Sequence, residues 1–179
     1  MTDGGSGQDP GDGDFRAWAA LAWPRLVRTG VVLTAGDHHL AEDLAQTTLT
    51  KVYLAWRRVR RDSAAGEHPD RYAHRVLVRA FLDETRRPWW RRERGASPPD
   101  EEHPAPPGAD VEDLHAVQAA LALLPPQQRA AVVLRHWLGY DVEETARLLD
   151  CTPQAVRSRT FRGLEQLRRL LALTTGEVR

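Results

Sequence analysis

The chain has 179 residues, enough for one large or two small domains, with 25 basic and 25 acidic side chains and a formal net charge of zero. No apolar run approaches the ~20 residues of a bilayer-spanning helix, and the single cysteine, Cys151, excludes a disulfide framework and a thiolate metal cluster, so a reducing, cytoplasmic setting is expected. The charges are segregated. Residues 57–94 hold twelve arginines against six acids, residues 95–117 hold six acids and no Lys or Arg, and residues 151–173 set five arginines against Glu165, a pattern of two nucleic-acid contacts with an acidic stretch between them.

Helical spacing recurs along the chain and strand-like alternation does not, so the fold is expected to be all-α, with two small helical domains. Met1 to Asp14 is rich in Gly and Asp and lacks the apolar stretch of a signal peptide; residues 1–13 read as a disordered tail. Asp14 is placed to cap a helix reaching Trp23, and Pro24 starts or kinks the next, which runs to about Thr34 and stops at Gly36. Asp37 caps a longer helix to about Arg57, with Ala41, Ala45, Leu49, Val52 and Trp56 in one stripe. Arg57 to His68 reads as a basic loop. Pro69 opens a helix to about Arg87. Its Ala73, Val76, Leu77 and Ala80 face a core, Arg71, Arg75, Arg79 and Arg86 lie opposite, and Asp83 is spaced to pair with Arg79 and Arg87. Trp89 and Trp90 follow Pro88. Gly95 to Asp110 carries five prolines and no large apolar group, and reads as an extended acidic linker, with 14–94 and 113–173 as the two folded domains, 95–112 between them and 174–179 as a tail.

In the second domain Leu114, Val117, Leu121 and Leu124 form a stripe, Pro125-Pro126 breaks the chain, and a helix runs to about Trp137 with Gly139 at its C-terminal side. Asp141 to Leu171 then reads as a helix-turn-helix. Asp141 and Glu144 fit a capping box, Asp150 tolerates a left-handed turn, and Thr152-Pro153 opens the second helix. Val156, Thr160, Leu164, Leu167 and Leu171 make its buried stripe, and Arg159, Arg162, Gln166 and Arg169 recur on another face. An arginine stripe alone is as well explained by a solvated surface. A capped short helix, a tight turn and a Thr-Pro-capped long helix in tandem favour a recognition helix in a DNA major groove, where arginine grips phosphate or guanine with two parallel hydrogen bonds.

Three segments carry a resemblance to a known family: VLTAGDHHLAEDLAQTTLTKVYLAW from Val32 to Trp56, YAHRVLVRAFLDETRRPWWRRE from Tyr72 to Glu93, and ALALLPPQQRAAVVLRHWLGYDVEETARLLDCTPQAVRSRTFRGLEQLR from Ala120 to Arg168. In this order they resemble the extracytoplasmic-function (ECF) sigma factors of the sigma-70 family, in the SigE-like actinobacterial group. The resemblance implies an alternative transcription initiation factor that binds core RNA polymerase, recognises and melts the −10 promoter element and reads the −35 element. It implies that Asp43, Leu44, Gln46 and Tyr53 contact the polymerase β′ clamp helices. Arg71, Arg75, Arg79, Arg86, Arg87, Trp89 and Trp90 would hold and stack the opened −10 strand. Thr152, Arg157, Ser158, Arg159 and Arg162 would contact the −35 duplex. The β flap and an anti-sigma factor are further implied partners, and the acidic linker is similar to the segment that threads toward the RNA exit channel. Leu44 and Tyr53 are equally well placed as ordinary core, and a tryptophan pair such as Trp89-Trp90 more often packs under a helix end. The family more often has Asn at Arg79 and Gly at Asp150.

A stand-alone helix-turn-helix regulator binding duplex operator DNA is the rival, with the first domain as a sensor or dimerisation unit. The basic 72–94 segment and the lack of a ligand-pocket signature weigh against it. Enzymatic function finds no support: none of the seven histidines stands at a metal-ligand spacing, and neither a nucleophile motif nor a glycine-rich phosphate loop is present. No cofactor, metal site or catalytic residue is expected.

Overall fold

The computed structural model describes residues 10–64, 68–86 and 111–176, and every regular element among them is helical. Helix α1 runs unbroken from Pro10 to Thr34. It begins inside the segment expected to be a disordered tail, and Pro24 neither starts nor splits it. Pro24 costs one backbone hydrogen bond, but Pro24 and Ala20, whose carbonyl loses its partner, both lie on the exposed face, where water can replace it. The turn after α1 uses left-handed residues Ala35 and Gly36, and Gly36 N–H donates to Val31 C=O at 2.9 Å. Asp37 then accepts from Leu40 N–H at 2.9 Å, capping α2, His38–Leu54. The expected basic loop is a helix, α3, Trp56–Ala64. Trp56 and Val59, one turn apart, are buried and pin it to the core, which four outward arginines had obscured in the sequence. Helix α4 spans Pro69–Arg86 as expected. Asp83 pairs with Arg86 at 3.7 Å, while Arg79 turns to Asp150; the expected pairing of Asp83 with Arg87 lies outside the described residues.

The second lobe comprises α5 (Val111–Ala122), α6 (Pro126–Val132), α7 (Val142–Leu149) and α8 (Pro153–Gly176). Helix α5 starts just inside the expected linker, and α8 runs past the expected domain end at 173. Helix α6 continues into a π turn over Val133–Trp137 rather than remaining α-helical to Trp137. Gly139, at φ +73°, ends it, and Leu138 N–H reaches Val133 C=O at 3.0 Å. Gly163 lets α6 and α8 touch: a Cβ there would sit 2.7 Å from Val132.

The two lobes share one apolar core. Leu33, Leu77 and Phe81 of the first belong to the same buried cluster as Ala130, Val133, Leu134 and Leu148 of the second. Arg129 ties the lobes together and is only 3% exposed. Its guanidinium donates to Leu33 C=O at 3.0 Å, Ala122 C=O at 2.9 Å and Leu124 C=O at 3.2 Å, and lies 5.8 Å from the centre of the Phe81 ring. Carbonyl dipoles and an aromatic face thus help to hold the buried charge.

Candidate nucleic-acid interface

The helix-turn-helix forms as its residues require. Asp141 accepts from Glu144 N–H at 2.6 Å and Glu144 returns a bond to Asp141 N–H at 3.2 Å, a complete capping box. Asp150 takes the left-handed turn at φ 52°, and Ala155 N–H donates to Thr152 Oγ1 at 3.2 Å. Helix α8 then buries Val156, Thr160 and Gly163 and half-buries Leu164, Leu167 and Leu171. Its outward face carries Gln154, Arg157, Phe161 and Arg162, all exposed, with Ser158 half-buried among them. Arg159 is half-buried on the flank. Gln166, expected on the arginine face, donates to Leu123 C=O at 3.1 Å and serves the lobe itself. Arg157 makes one weak contact, to Glu143 at 3.5 Å. Phe161 and Gln154 were not among the expected DNA residues. Their separation from the apolar stripe on a helical projection was the available signal.

Helix α4 has a different environment. Its apolar side is buried through Ala73, Val76, Leu77, Val78, Ala80 and Phe81. Its arginine side runs beside the second lobe while staying in contact with solvent: Arg71, Arg79 and Arg86 are exposed and Arg75 is half-buried. Arg71 pairs with Glu144 of α7, and Arg79 lies 3.8 Å from Asp150 in the turn. Between these pairs a cavity of about 20 Å³ is lined by Arg71, Arg75, Tyr140, Glu144, Arg147 and Leu148, enough for about one water. At the same seam His74 Nδ1 and Tyr140 OH are 2.6 Å apart, with the rings edge to face. Burial lowers the His74 pKa, against the pull of Asp70, while Arg25 pushes the same way as burial. Burial likewise pushes Tyr140 up to about 12, opposed chiefly by Arg71. Both groups are therefore neutral at pH 7. Arg86 is exposed at the end of α4. Arg87, Trp89 and Trp90, like the acidic linker, lie outside the described residues.

On α2, Asp43 and Gln46 are exposed, Tyr53 is 47% exposed, and Leu44 lies in the core. Leu44 therefore supports the helix from beneath and presents nothing outward. The Tyr53 ring packs at a tilt against Phe15, 5.0 Å between centres, and its hydroxyl donates to Asp12 at 3.2 Å. It borders a cleft of about 410 Å³ with Asp12, Leu54, Ala55, Trp56, Arg57 and Arg58. Leu54, 79% exposed beside it, was not anticipated.

Two arginine-bearing helices in separate lobes, the second in a capped helix-turn-helix, are the features of a DNA-binding protein. Comparison with known proteins agrees. Residues 23–91 match Sigma-70 region 2 and residues 114–167 match Sigma-70, region 4. The chain is 36% identical over 132 residues to the RNA polymerase sigma-E factor of Streptomyces coelicolor, covering 72% of this chain and 70% of that one. It is 36% identical over 146 residues to the ECF RNA polymerase sigma factor SigM of Mycobacterium tuberculosis, covering 80% and 71%. The sigma factor RpoE of Bartonella quintana, solved in complex with the anti-sigma factor NepR, matches with a TM-score of 0.70 at 28% identity over 89% of this chain and 97% of that one. The chain belongs to the sigma-70 family, in its extracytoplasmic-function branch. It is thus a transcription initiation factor, and the stand-alone regulator is set aside because both regions match in order. No helix among the described residues is long and apolar enough to cross a membrane.

Proposed function

We propose a division of labour among three surfaces of this sigma factor. Helix α2 docks on core RNA polymerase through Asp43, Gln46 and Tyr53, with Leu54 extending the contact. Helix α4 and the residues after it, Arg71, Arg75, Arg79, Arg86, Arg87, Trp89 and Trp90, engage the opened −10 strand once the seam with α7 separates. Helix α8 reads the −35 duplex through Arg157, Ser158 and Arg162, with Arg159 at the flank and Thr152 at the helix start. The first domain covers about residues 14–94 and the second about 113–173. The protein acts by binding in the cytoplasm and catalyses no reaction itself. An anti-sigma protein is a further class of partner, supported by the RpoE–NepR complex.

The observation that carries the polymerase assignment is the asymmetry of α2. One side, Ala41, Leu44, Ala45, Thr48 and Val52, is buried, while Asp43 and Gln46 stand in solvent free of any core duty. The test is stoichiometric binding to purified bacterial core polymerase. The double variant Asp43→Arg, Gln46→Ala is expected to lose binding while its unfolding free energy in urea stays within ~0.5 kcal/mol of the parent, as for other exposed sites. Full binding by that variant overturns the assignment.

A further inference from the structure

The cavity between α4 and α7 is lined by more positive charge than its walls neutralise. Arg71 and Arg75 come from α4 and Arg147 from α7, against the single carboxylate of Glu144, so three guanidiniums less one carboxylate leave a net +2. Tyr140 shares the lining, and burial, which pushes its pKa up to about 12, leaves it without charge at pH 7. Glu144 is already used twice, as the partner of Arg71 and as the acceptor of Asp141 N–H in the capping box. The acids within helical reach of Arg147 are turned elsewhere. Glu143, one turn before it, lies toward Arg157 at 3.5 Å, and Asp150, one turn after it, lies toward Arg79 at 3.8 Å. Arg147 therefore has no ion pair among the described residues.

Like-charged guanidiniums around a partly enclosed space repel, and an anion placed among them turns that interaction favourable. The volume of about 20 Å³ admits one water-sized group, so a single oxygen of an oxyanion fits inside. Its remaining oxygens stay on the solvent side, where Arg71 and Arg147 are exposed. A phosphoryl group carries about −1.5 to −2 at pH 7 and presents its oxygens in several directions. That suits a net charge of +2 and planar guanidiniums approaching from two helices, each able to meet two oxygens at once.

We propose that this cavity is a phosphate-binding site that bridges the two lobes and takes the phosphoryl group of a small molecule. Arg147 holds the group from α7, and Arg71 and Arg75 hold it from α4, so the bound anion ties the two helices together. The site differs from a DNA contact of α4 because it needs Arg147 and the packed arrangement of the lobes.

The test is equilibrium dialysis of the full chain, without DNA or polymerase, against radiolabelled inorganic phosphate at constant ionic strength. One saturable site per chain is expected. Arg147→Gln, at an exposed position, should weaken binding about ten-fold, the worth of one charge-assisted hydrogen bond. Arg71→Gln should weaken it at least as much, because it also leaves Glu144 facing the anion unpaired. Arg28→Gln removes the same charge from an exposed place on α1 and should change nothing. Competition by adenosine 5′-monophosphate identifies the source of the group: displacement well below the concentration needed with unlabelled phosphate points to a phosphorylated nucleotide, and displacement at the same or higher concentration points to free phosphate. The proposal is overturned if binding does not saturate at one site per chain. It is equally overturned if Arg28→Gln weakens binding as much as Arg147→Gln, the behaviour of a diffuse counterion cloud. A loss with Arg147→Gln but not with Arg71→Gln overturns the bridge between lobes. With no DNA present, every outcome leaves the −10 assignment of α4 where it stands.

Discussion

Helices α4 and α8 both carry exposed arginines at helical spacing, yet those of α4 meet carboxylates of the other lobe and those of α8 do not. On α8 the arginines of the outward face stand in solvent, and the nearest carboxylate, Glu143, reaches only Arg157, at 3.5 Å. On α4 the same kind of stripe lies along a seam with α7, where Glu144 and Asp150 meet Arg71 and Arg79 and a neutral, part-buried His–Tyr pair lies beside them. Charge spacing therefore identifies a helix able to hold phosphates. Packing decides whether such exposed arginines also run beside the carboxylates of another lobe. The exposed pairs contribute little energy, ~0–1 kcal/mol each. The seam is held mainly by the shared apolar core and by Arg129.

The sharpest way to break that contrast is to remove Arg129. Arg129→Ala deletes donors to three carbonyls of both lobes and should cost ~3 kcal/mol of stability, on the scale of charged hydrogen bonds to buried acceptors. Urea unfolding gives the loss directly, and a cost below ~1 kcal/mol would mean that the tie is unimportant. A change in the second lobe alone should be milder. Gly163→Ala drives a methyl to 2.7 Å from Val132 and is expected to cost ~1–3 kcal/mol. It should lower the urea midpoint and leave the Arg71–Glu144 seam in place.

Glu144→Ala sharpens the comparison from the α7 side. It removes the reciprocal half of the capping box and the partner of Arg71, for ~1 kcal/mol, most of it from the cap because the arginine is part-exposed. Salt should reduce the part due to Arg71 and spare the cap. Unchanged stability in thermal melts would show that α7 does not need the box.

The smallest effect is that of pH. His74 is harder to protonate in the folded state than in the unfolded chain, where its pKa is near 6.5. As pH falls through 6.5 the unfolded chain binds the proton first, so stability declines below that pH and is level above it. His74→Gln should flatten this slope, which parallel urea titrations at acid and neutral pH would detect. An unchanged slope assigns the acid sensitivity to other groups.

Much of this fold was legible in the chain. Asp37, the Asp141–Glu144 box, Asp150 and Thr152-Pro153 set helix ends through bonds made within a few residues, and such local chemistry does not wait for the tertiary fold. The apolar stripes of α2, α4 and α8 were readable for the same reason. Helix α3 was not, because its two anchors, Trp56 and Val59, are meaningful only once α1 and α4 exist to cover them. Nor was the continuity of α1 across Pro24, which depends on which side of the helix meets water.

By itself the sequence determined the helical class, the helix-turn-helix, the two arginine helices and, through three motifs in order, the family. Only the tertiary structure decided that Leu44 is core while Tyr53 is not, that Gln166 serves its own lobe, that Phe161 faces outward, and that α4 meets the carboxylates of α7. Periodicity records which face of a helix is apolar. The identity of whatever covers the other face depends on residues distant in the chain, as the bond from Arg129 to Leu33 illustrates.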